Sequence, residues 1–112
     1  MARRKALKTI WSLRSIQSLK DIYIWYAEDY SVSRAKKVVL SIRSKVRQIV
    51  KIPFGYPIFP YTHPKDESVR YAIVKGTYWI IYEVTENQLE VIDIIHASQN
   101  PDLFKVASSD VT

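Results

Sequence analysis

Cysteine is absent from this 112-residue sequence, and glycine occurs only twice, at Gly55 and Gly76. Without cysteine the chain can form neither disulfides nor cysteine-bound zinc or iron–sulfur centres, and thiolate catalysis is excluded. Phosphate-binding loops and nucleophile elbows need closely spaced glycines, which are also missing. The two histidines, His63 and His96, lie 33 positions apart. We therefore expect no metal site and no cofactor.

Long hydrophobic runs are missing as well. The longest, Tyr78 to Tyr82 and Val91 to Ile95, are far shorter than the roughly 20 residues that a membrane-spanning helix needs. The N-terminus starts with basic residues but has no apolar segment followed by a small-residue cleavage site. We therefore expect no membrane association, no secretory signal and a cytoplasmic location.

Acidic residues are scarce in the first half of the chain. Residues 1–51 contain thirteen Lys or Arg and three Asp or Glu, a net charge of +10. Residues 52–112 contain four Lys or Arg and eight Asp or Glu, a net charge of −4, so the two halves sum to the overall +6. A basic half suits a surface that faces phosphates or an acidic protein, and it equally suits a solvated helical face. Charge alone leaves both interpretations open. The length predicts one domain over residues 1–112.

Apolar spacing and capping residues place the first elements. Residues 7–11 alternate as a short strand, and Ser12 is suited to cap a helix over residues 14–29. A second helix, capped by Ser33, ends at Pro53, because proline lacks an amide donor and disfavours a helical residue before it. The predicted apolar stripes are Ile16, Leu19, Tyr23, Tyr26 and Tyr30 in the first helix, and Ala35, Val38, Val39, Ile42, Val46 and Ile49 in the second.

The second half is predicted to form a proline-rich connection followed by a sheet. Residues 53–64 contain four of the five prolines and four aromatic residues, which favours an extended connection packed on the body over a base-stacking surface. Strands are predicted at Val69–Val74, Tyr78–Val84 and Leu89–Ile95, joined by short turns. The order β-α-α-β-β-β predicts an α+β fold of two layers, with the helical hairpin packed on a mainly antiparallel sheet.

Several short segments, taken in order, carry a family resemblance. Trp11-Ser12 stands at the start, Pro53 and Gly55 follow the second helix, and Arg70 opens the next strand. The most specific stretches are residues 78–84 (YWIIYEV) and 94–101 (IIHASQNP). Over about residues 7–103 the chain resembles the RelE/ParE superfamily, the toxins of bacterial type II toxin–antitoxin pairs.

The resemblance implies two mechanisms on one fold. RelE-like members are ribosome-dependent RNases that cleave mRNA in the A site, which requires cations at the transition state and activation of a ribose 2′-hydroxyl. ParE-like members poison DNA gyrase by protein contact. In both groups a cognate antitoxin wraps the toxin with its C-terminal segment. The resemblance therefore implies a toxin–antitoxin hetero-oligomer, with the antitoxin bound as a helix or an added strand.

Three positions depart from the RNase pattern. Trp79 stands where that branch typically has an arginine, and Ser98 and Gln99 stand where it favours lysine or arginine. Losing one charge-stabilising donor commonly costs roughly 10²–10³ in rate. This favours the ParE-like side, although that branch also often has arginines near Ser98 and Gln99. A degenerate toxin that only binds its antitoxin is therefore a third interpretation.

The resemblance also implies candidate functional residues. For an RNase mechanism they are Arg70, Tyr78 and His96. Arg70 is expected on the exposed face of the meander, the three predicted strands that are joined by short turns; the alternative is a surface ion pair. His96 is equally consistent with a structural histidine at the end of a strand. Lys75 lies in a tight turn, where solubility is the simpler interpretation. The candidate contacts to a target or antitoxin are Lys36, Lys37, Arg43, Arg47, Lys75, Ser98 and Gln99.

Overall fold

Six regular elements follow one another in the predicted order. The computed structural model describes residues 7–62 and 66–98, so His63 and Gln99 lie outside the described residues. Within the described part of the chain, neither helix combines the length and the apolar character needed to cross a membrane. The elements are β1 (Lys8–Trp11), α1 (Leu13–Asp29), α2 (Val32–Lys51), β2 (Val69–Val74), β3 (Tyr78–Val84) and β4 (Gln88–His96).

The four strands form one mixed sheet in the order β1-β4-β3-β2. β1 runs parallel to β4, and the other two pairs are antiparallel, as the short turns between β2, β3 and β4 require. The register of β3 against β4 shifts between Ile81 and Tyr82. Both helices pack on one face of this sheet through a single apolar core. The predicted two-layer α+β fold is confirmed.

The predicted apolar stripe on α1 is correct only in part. Leu19 is buried, but Ile16 is 40% and Tyr30 57% exposed. The reason lies at the start of the helix, where the Ser12 hydroxyl accepts from Ser15 N–H (3.0 Å) and the Ser15 hydroxyl donates to the Ser12 carbonyl (2.8 Å). These bonds satisfy a buried serine, so the helix turns Ser15 rather than Ile16 towards the core. The inward face runs through Ser15, Leu19, Ile22 and Tyr26.

The start of α2 differs from the prediction by two residues. Ser31 has an extended backbone (φ −163°), and its hydroxyl accepts from the Arg34 amide at 3.1 Å. Ser31 is therefore the N-cap, and the prediction that Ser33 caps this helix is wrong. Only Tyr30 and Ser31 separate the two helices, which pack as the predicted hairpin.

The proline-rich connection covers the second face of the sheet. Phe59 is fully buried against Val69, Ile81 and Ile95, which all point away from the helices. Phe59 N–H donates to the Val69 carbonyl at 2.8 Å, so the connection also pairs with the outer edge of β2. The prediction that these aromatic residues pack on the body is confirmed for Phe59, whereas Phe54 remains 61% exposed.

A tight turn joins β2 to β3. Lys75 (φ 54°) and Gly76 (φ 67°) both have left-handed backbones, and Thr77 N–H donates to the Val74 carbonyl at 3.0 Å. This is the type I′ geometry that suits a two-residue hairpin connection. Gly76 adopts it without strain, but a lysine at positive φ costs roughly 1–2 kcal/mol.

We expect Lys75→Asn to raise the free energy of unfolding by several tenths to about 1 kcal/mol, because asparagine tolerates the left-handed region and Asn-Gly is the preferred pair for this turn. Urea denaturation of the two proteins measures the difference. The same substitution at Lys37, which has an ordinary helical backbone, is the control and should not stabilise the protein. A Lys75→Asn variant no more stable than the parent would contradict the assigned turn.

Candidate functional site

A cleft of about 450 Å³ lies between α1 and the adjoining ends of β3 and β4. It brings together two of the three residues predicted for an RNase mechanism, because Tyr78 and His96 are directly opposite in the antiparallel register. Their rings meet edge to face with centroids 5.5 Å apart. The lining residues are Ser18, Asp21, Ile22, Trp25, Tyr26, Tyr78, Ile94 and His96.

Tyr78 is a protonated phenol at the back of this cleft. Only 6% of the residue is exposed, and this burial, together with a hydrogen bond to Tyr26, raises the pKa of Tyr78 well above its ordinary value of 10.0. Burial likewise raises the pKa of Tyr82, which is fully enclosed. Near neutral pH Tyr78 can donate or accept a hydrogen bond, but it cannot serve as a base.

We expect the free energy of unfolding to fall as the pH rises above about 10, because the unfolded phenols then lose protons that the folded ones keep. Each buried phenol contributes a slope of at most about 1.4 kcal/mol per pH unit. Denaturant titrations on both sides of pH 10 measure it. Tyr78→Phe should flatten the slope, and Tyr61→Phe, on the opposite face of the sheet, should not. An unchanged slope in Tyr78→Phe would refute the assignment.

His96 is oriented by Ser98. The Ser98 amide donates to His96 Nδ1 at 3.0 Å, and the Ser98 hydroxyl lies 2.7 Å from the same nitrogen. Because Nδ1 accepts a hydrogen bond, the neutral ring carries its proton on Nε2. Ser98, predicted as a contact to a partner, therefore holds the imidazole in one tautomer. In this tautomer Nε2 is the ring nitrogen that can donate a hydrogen bond.

Arg70, the third residue predicted for the RNase mechanism, lies elsewhere. It shares the helix-facing side of β2 with Ala72, so the prediction that it points from the exposed face is wrong. Its Nη1 donates to the Tyr56 carbonyl at 2.7 Å, and the guanidinium lies 5.1 Å above the Phe54 ring. Arg70 pairs with Tyr82, four residues along β3 from Tyr78, or about 13 Å at strand spacing.

The environment of Arg70 explains the error. Its main partners belong to the proline-rich connection, which folds back over the end of β2. Its Nε is buried and has no hydrogen-bond partner among the described residues. The guanidinium therefore holds the connection in place rather than facing the cleft.

Asp93 anchors α1 to β4 beneath the cleft, and it was not singled out from the sequence. Only 4% exposed, it accepts from the Ser18 hydroxyl at 2.6 Å and from Arg14 Nε at 2.9 Å. A lone carboxylate inside the apolar run Val91–Ile95 was the available signal, since a buried charge needs partners. Asp93 thereby positions Ser18, which lines the cleft.

The electrostatics of the cleft do not suit a phosphate. None of the described residues that line it is a lysine or an arginine, and Asp21 contributes a carboxylate. Phosphoryl transfer depends on fixed cations near the developing charge. No group of three or more potential metal ligands occurs among the described residues either.

A second surface is an apolar groove of about 380 Å³ between α1 and α2. Its walls are Trp11, Ile16, Leu19, Tyr23 and Val39, and its rim carries Lys20 and Arg43. The Arg43 guanidinium lies 5.5 Å above the Trp11 ring, so this cation is fixed beside the apolar walls. Such a groove suits the apolar face of an amphipathic helix with acidic flanks.

The remaining basic residues predicted as contacts fall on two further surfaces. Lys36 and Arg47 are exposed on α2. Lys37 and Lys75 line a separate cleft together with Arg34. Together with Arg43 in the groove, the basic residues among the predicted contacts therefore lie on three different surfaces of the molecule.

Comparison with known proteins agrees with the fold and the sequence motifs. The profile of the "ParE toxin of type II toxin-antitoxin system, parDE" matches residues 9–101. Among curated protein sequences, none shows significant similarity to this chain.

Two solved structures share the fold at low sequence identity. The chromosomal ParDE toxin–antitoxin system from P. aeruginosa is 16% identical, with a TM-score of 0.69 over 81% of this chain and 96% of that one. The solution structure of the conserved hypothetical protein HP0894 from Helicobacter pylori is also 16% identical, with a TM-score of 0.53. The match covers 83% of this chain and 97% of that one. Because the profile spans most of the sequence, this chain belongs to the ParE toxin family of type II toxin–antitoxin systems.

Proposed function

We propose that this toxin inhibits growth in the cytoplasm by binding a protein target, DNA gyrase, rather than by cleaving mRNA. The observation that carries the proposal is the separation of the predicted RNase residues. The cleft at Tyr78 and His96 contains no lysine or arginine among its described lining, and Arg70 is held by the connection about 13 Å along the sheet. Without nearby cations, the cleft would stabilise a phosphorane-like transition state poorly.

A cognate antitoxin neutralises the toxin in this proposal. Its helix occupies the groove between α1 and α2, with apolar side chains against Ile16, Tyr23 and Val39. Acidic residues of the antitoxin helix, next to these apolar side chains, pair with Lys20 and Arg43 on the rim of the groove. The apolar walls and the basic rim support this assignment, because an amphipathic helix with acidic residues can bury apolar side chains against the walls and pair its carboxylates with the rim.

Purified gyrase provides the test. Added protein is expected to inhibit supercoiling or to increase cleaved DNA, in proportion to its concentration. A His96→Ala variant is the matched control, since the proposal gives that side chain no part in gyrase inhibition and His96 is exposed. If the protein neither binds gyrase nor changes its activities, the proposal fails.

A RelE-like mRNA interferase is the second candidate. The edge-to-face contact of Tyr78 with His96, and the donor at His96 Nε2, favour it over a purely structural role for this pair. Under this mechanism His96→Ala should lose at least about 10²-fold of the cleavage rate on translating ribosomes. Equal toxicity of His96→Ala and the parent protein would exclude it.

A further inference from the structure

A cleft of about 530 Å³ lies where the α1–α2 junction meets the β2–β3 turn. Three cations from two separate elements line it: Arg34 and Lys37 on the first turns of α2, and Lys75 in the turn. The hydroxyl-bearing residues Tyr26, Ser31 and Ser33 complete the polar lining. Cationic groups and hydroxyl donors are the set that binds phosphate oxygens.

None of the described residues that line this cleft carries a carboxylate. Glu28 and Asp29 are close in sequence but do not line the cleft. Among the described residues, the ion pair that forms is Arg14 with Asp93, far from these cations in sequence. α2 itself contains seven lysines and arginines and no acidic residue. The positive potential here is therefore available to an anion from outside the chain.

The basic lining continues along the sheet side of α2. Lys75 also lines an adjoining cleft of about 380 Å³, whose polar residues are Ser41, Ser44, Lys45 and Gln48. From Arg34 to Gln48 the helix rises about 21 Å at 1.5 Å per residue. Four cations therefore follow one extended path, whereas the apolar groove lies on the opposite flank of α2, at Val39 and Arg43. An extended polyanion fits this path better than a single phosphate ion.

We infer that this path, from Arg34 through Lys37 and Lys75 to Lys45, binds the phosphodiester backbone of DNA. The choice of DNA rests on the proposed function, since a gyrase-binding toxin meets its target on DNA. An acidic peptide is the less suitable occupant, because an amphipathic partner would bury its apolar face in the groove on the other flank. A phosphate contact would also give a function to Lys75, whose left-handed backbone is strained.

Fluorescence anisotropy with a labelled duplex of roughly 20 base pairs, at several salt concentrations, tests the inference. The double variant Lys37→Gln/Lys75→Asn should lower the slope of log K against log salt by about 2, one unit for each phosphate contact. The control Lys8→Gln/Lys51→Gln removes the same charge from exposed positions outside the path. It should lower the slope by less than about 1.

Equal losses in the two double variants would overturn the inference, because general charge would then explain all binding. Tighter binding of an RNA duplex of the same sequence, or equal competition by a poly-glutamate peptide, would overturn it too. Thermal unfolding confirms that both variants are folded. If duplex binding fails while gyrase inhibition persists, the inference falls and the proposed function stands.

Discussion

We expect Ile16→Glu to weaken the complex with the cognate antitoxin by about 100-fold, or roughly 2.7 kcal/mol. Ile16 lines the groove between the helices but is 40% exposed, so the toxin alone should fold normally. In the proposed complex, the new carboxylate would meet the apolar face of the antitoxin helix without a partner and would repel the acidic residues proposed beside that face. Calorimetric titration measures the affinity, and co-expression measures rescue from growth arrest.

Leu13→Glu is the matched control for this experiment. Leu13 lies one turn earlier on the same helix, is 86% exposed and does not line the groove. The same charge at this position should leave antitoxin binding and rescue within about threefold of the parent, as is usual for substitutions outside an interface core. If Ile16→Glu binds the antitoxin with unchanged affinity, or if both variants lose affinity equally, the antitoxin binds a surface other than this groove.

Tyr82→Ala is expected to lower the free energy of unfolding by about 3–5 kcal/mol. Tyr82 is fully buried in the core beneath the helices, and its hydroxyl donates to the Pro53 carbonyl at 2.6 Å. The substitution leaves a cavity and releases the start of the proline-rich connection. Such a loss is a large share of the 5–15 kcal/mol that stabilises a typical domain. Urea denaturation followed by circular dichroism gives the value.

Tyr82→Phe separates the hydrogen bond from the packing. It keeps the ring and removes only the donor to Pro53, so the expected loss is about 1 kcal/mol. A Tyr82→Ala variant that loses less than about 1 kcal/mol would show that the residue is not the core element described here.

The fold could be predicted from the sequence wherever the pattern is local. The apolar period of α2 and its end before Pro53 predict that helix. The two short turns predict that β2, β3 and β4 pair as consecutive antiparallel strands. The sequence could not predict which face of α1 points to the core, because the Ser12–Ser15 hydrogen bonds compete with the apolar stripe through Ile16. Ser31 and Ser33 are chemically equivalent caps, and only the backbone decides between them.

The candidate site was predictable where strand pairing alone places it. Tyr78 begins one strand and His96 ends its antiparallel neighbour, so their contact follows from the hairpin. Arg70 was misplaced because its partners, Tyr56 and Phe54, come from a connection without a regular pattern. The apolar groove also depended on tertiary packing, since it exists only because α1 turns Ile16 and Tyr23 away from the core.

Induction of this toxin alone in bacterial cells, followed by primer extension on translated mRNAs, tests the central claim most directly. We predict growth arrest with intact messages, because the proposed target is a protein and no lysine or arginine is among the described residues that line the Tyr78–His96 cleft, although cleavage needs such cations. Cleavage inside codons, confined to translated messages, would contradict this account and identify an mRNA interferase. The absence of any arrest would also contradict it and indicate a toxin that has lost its activity.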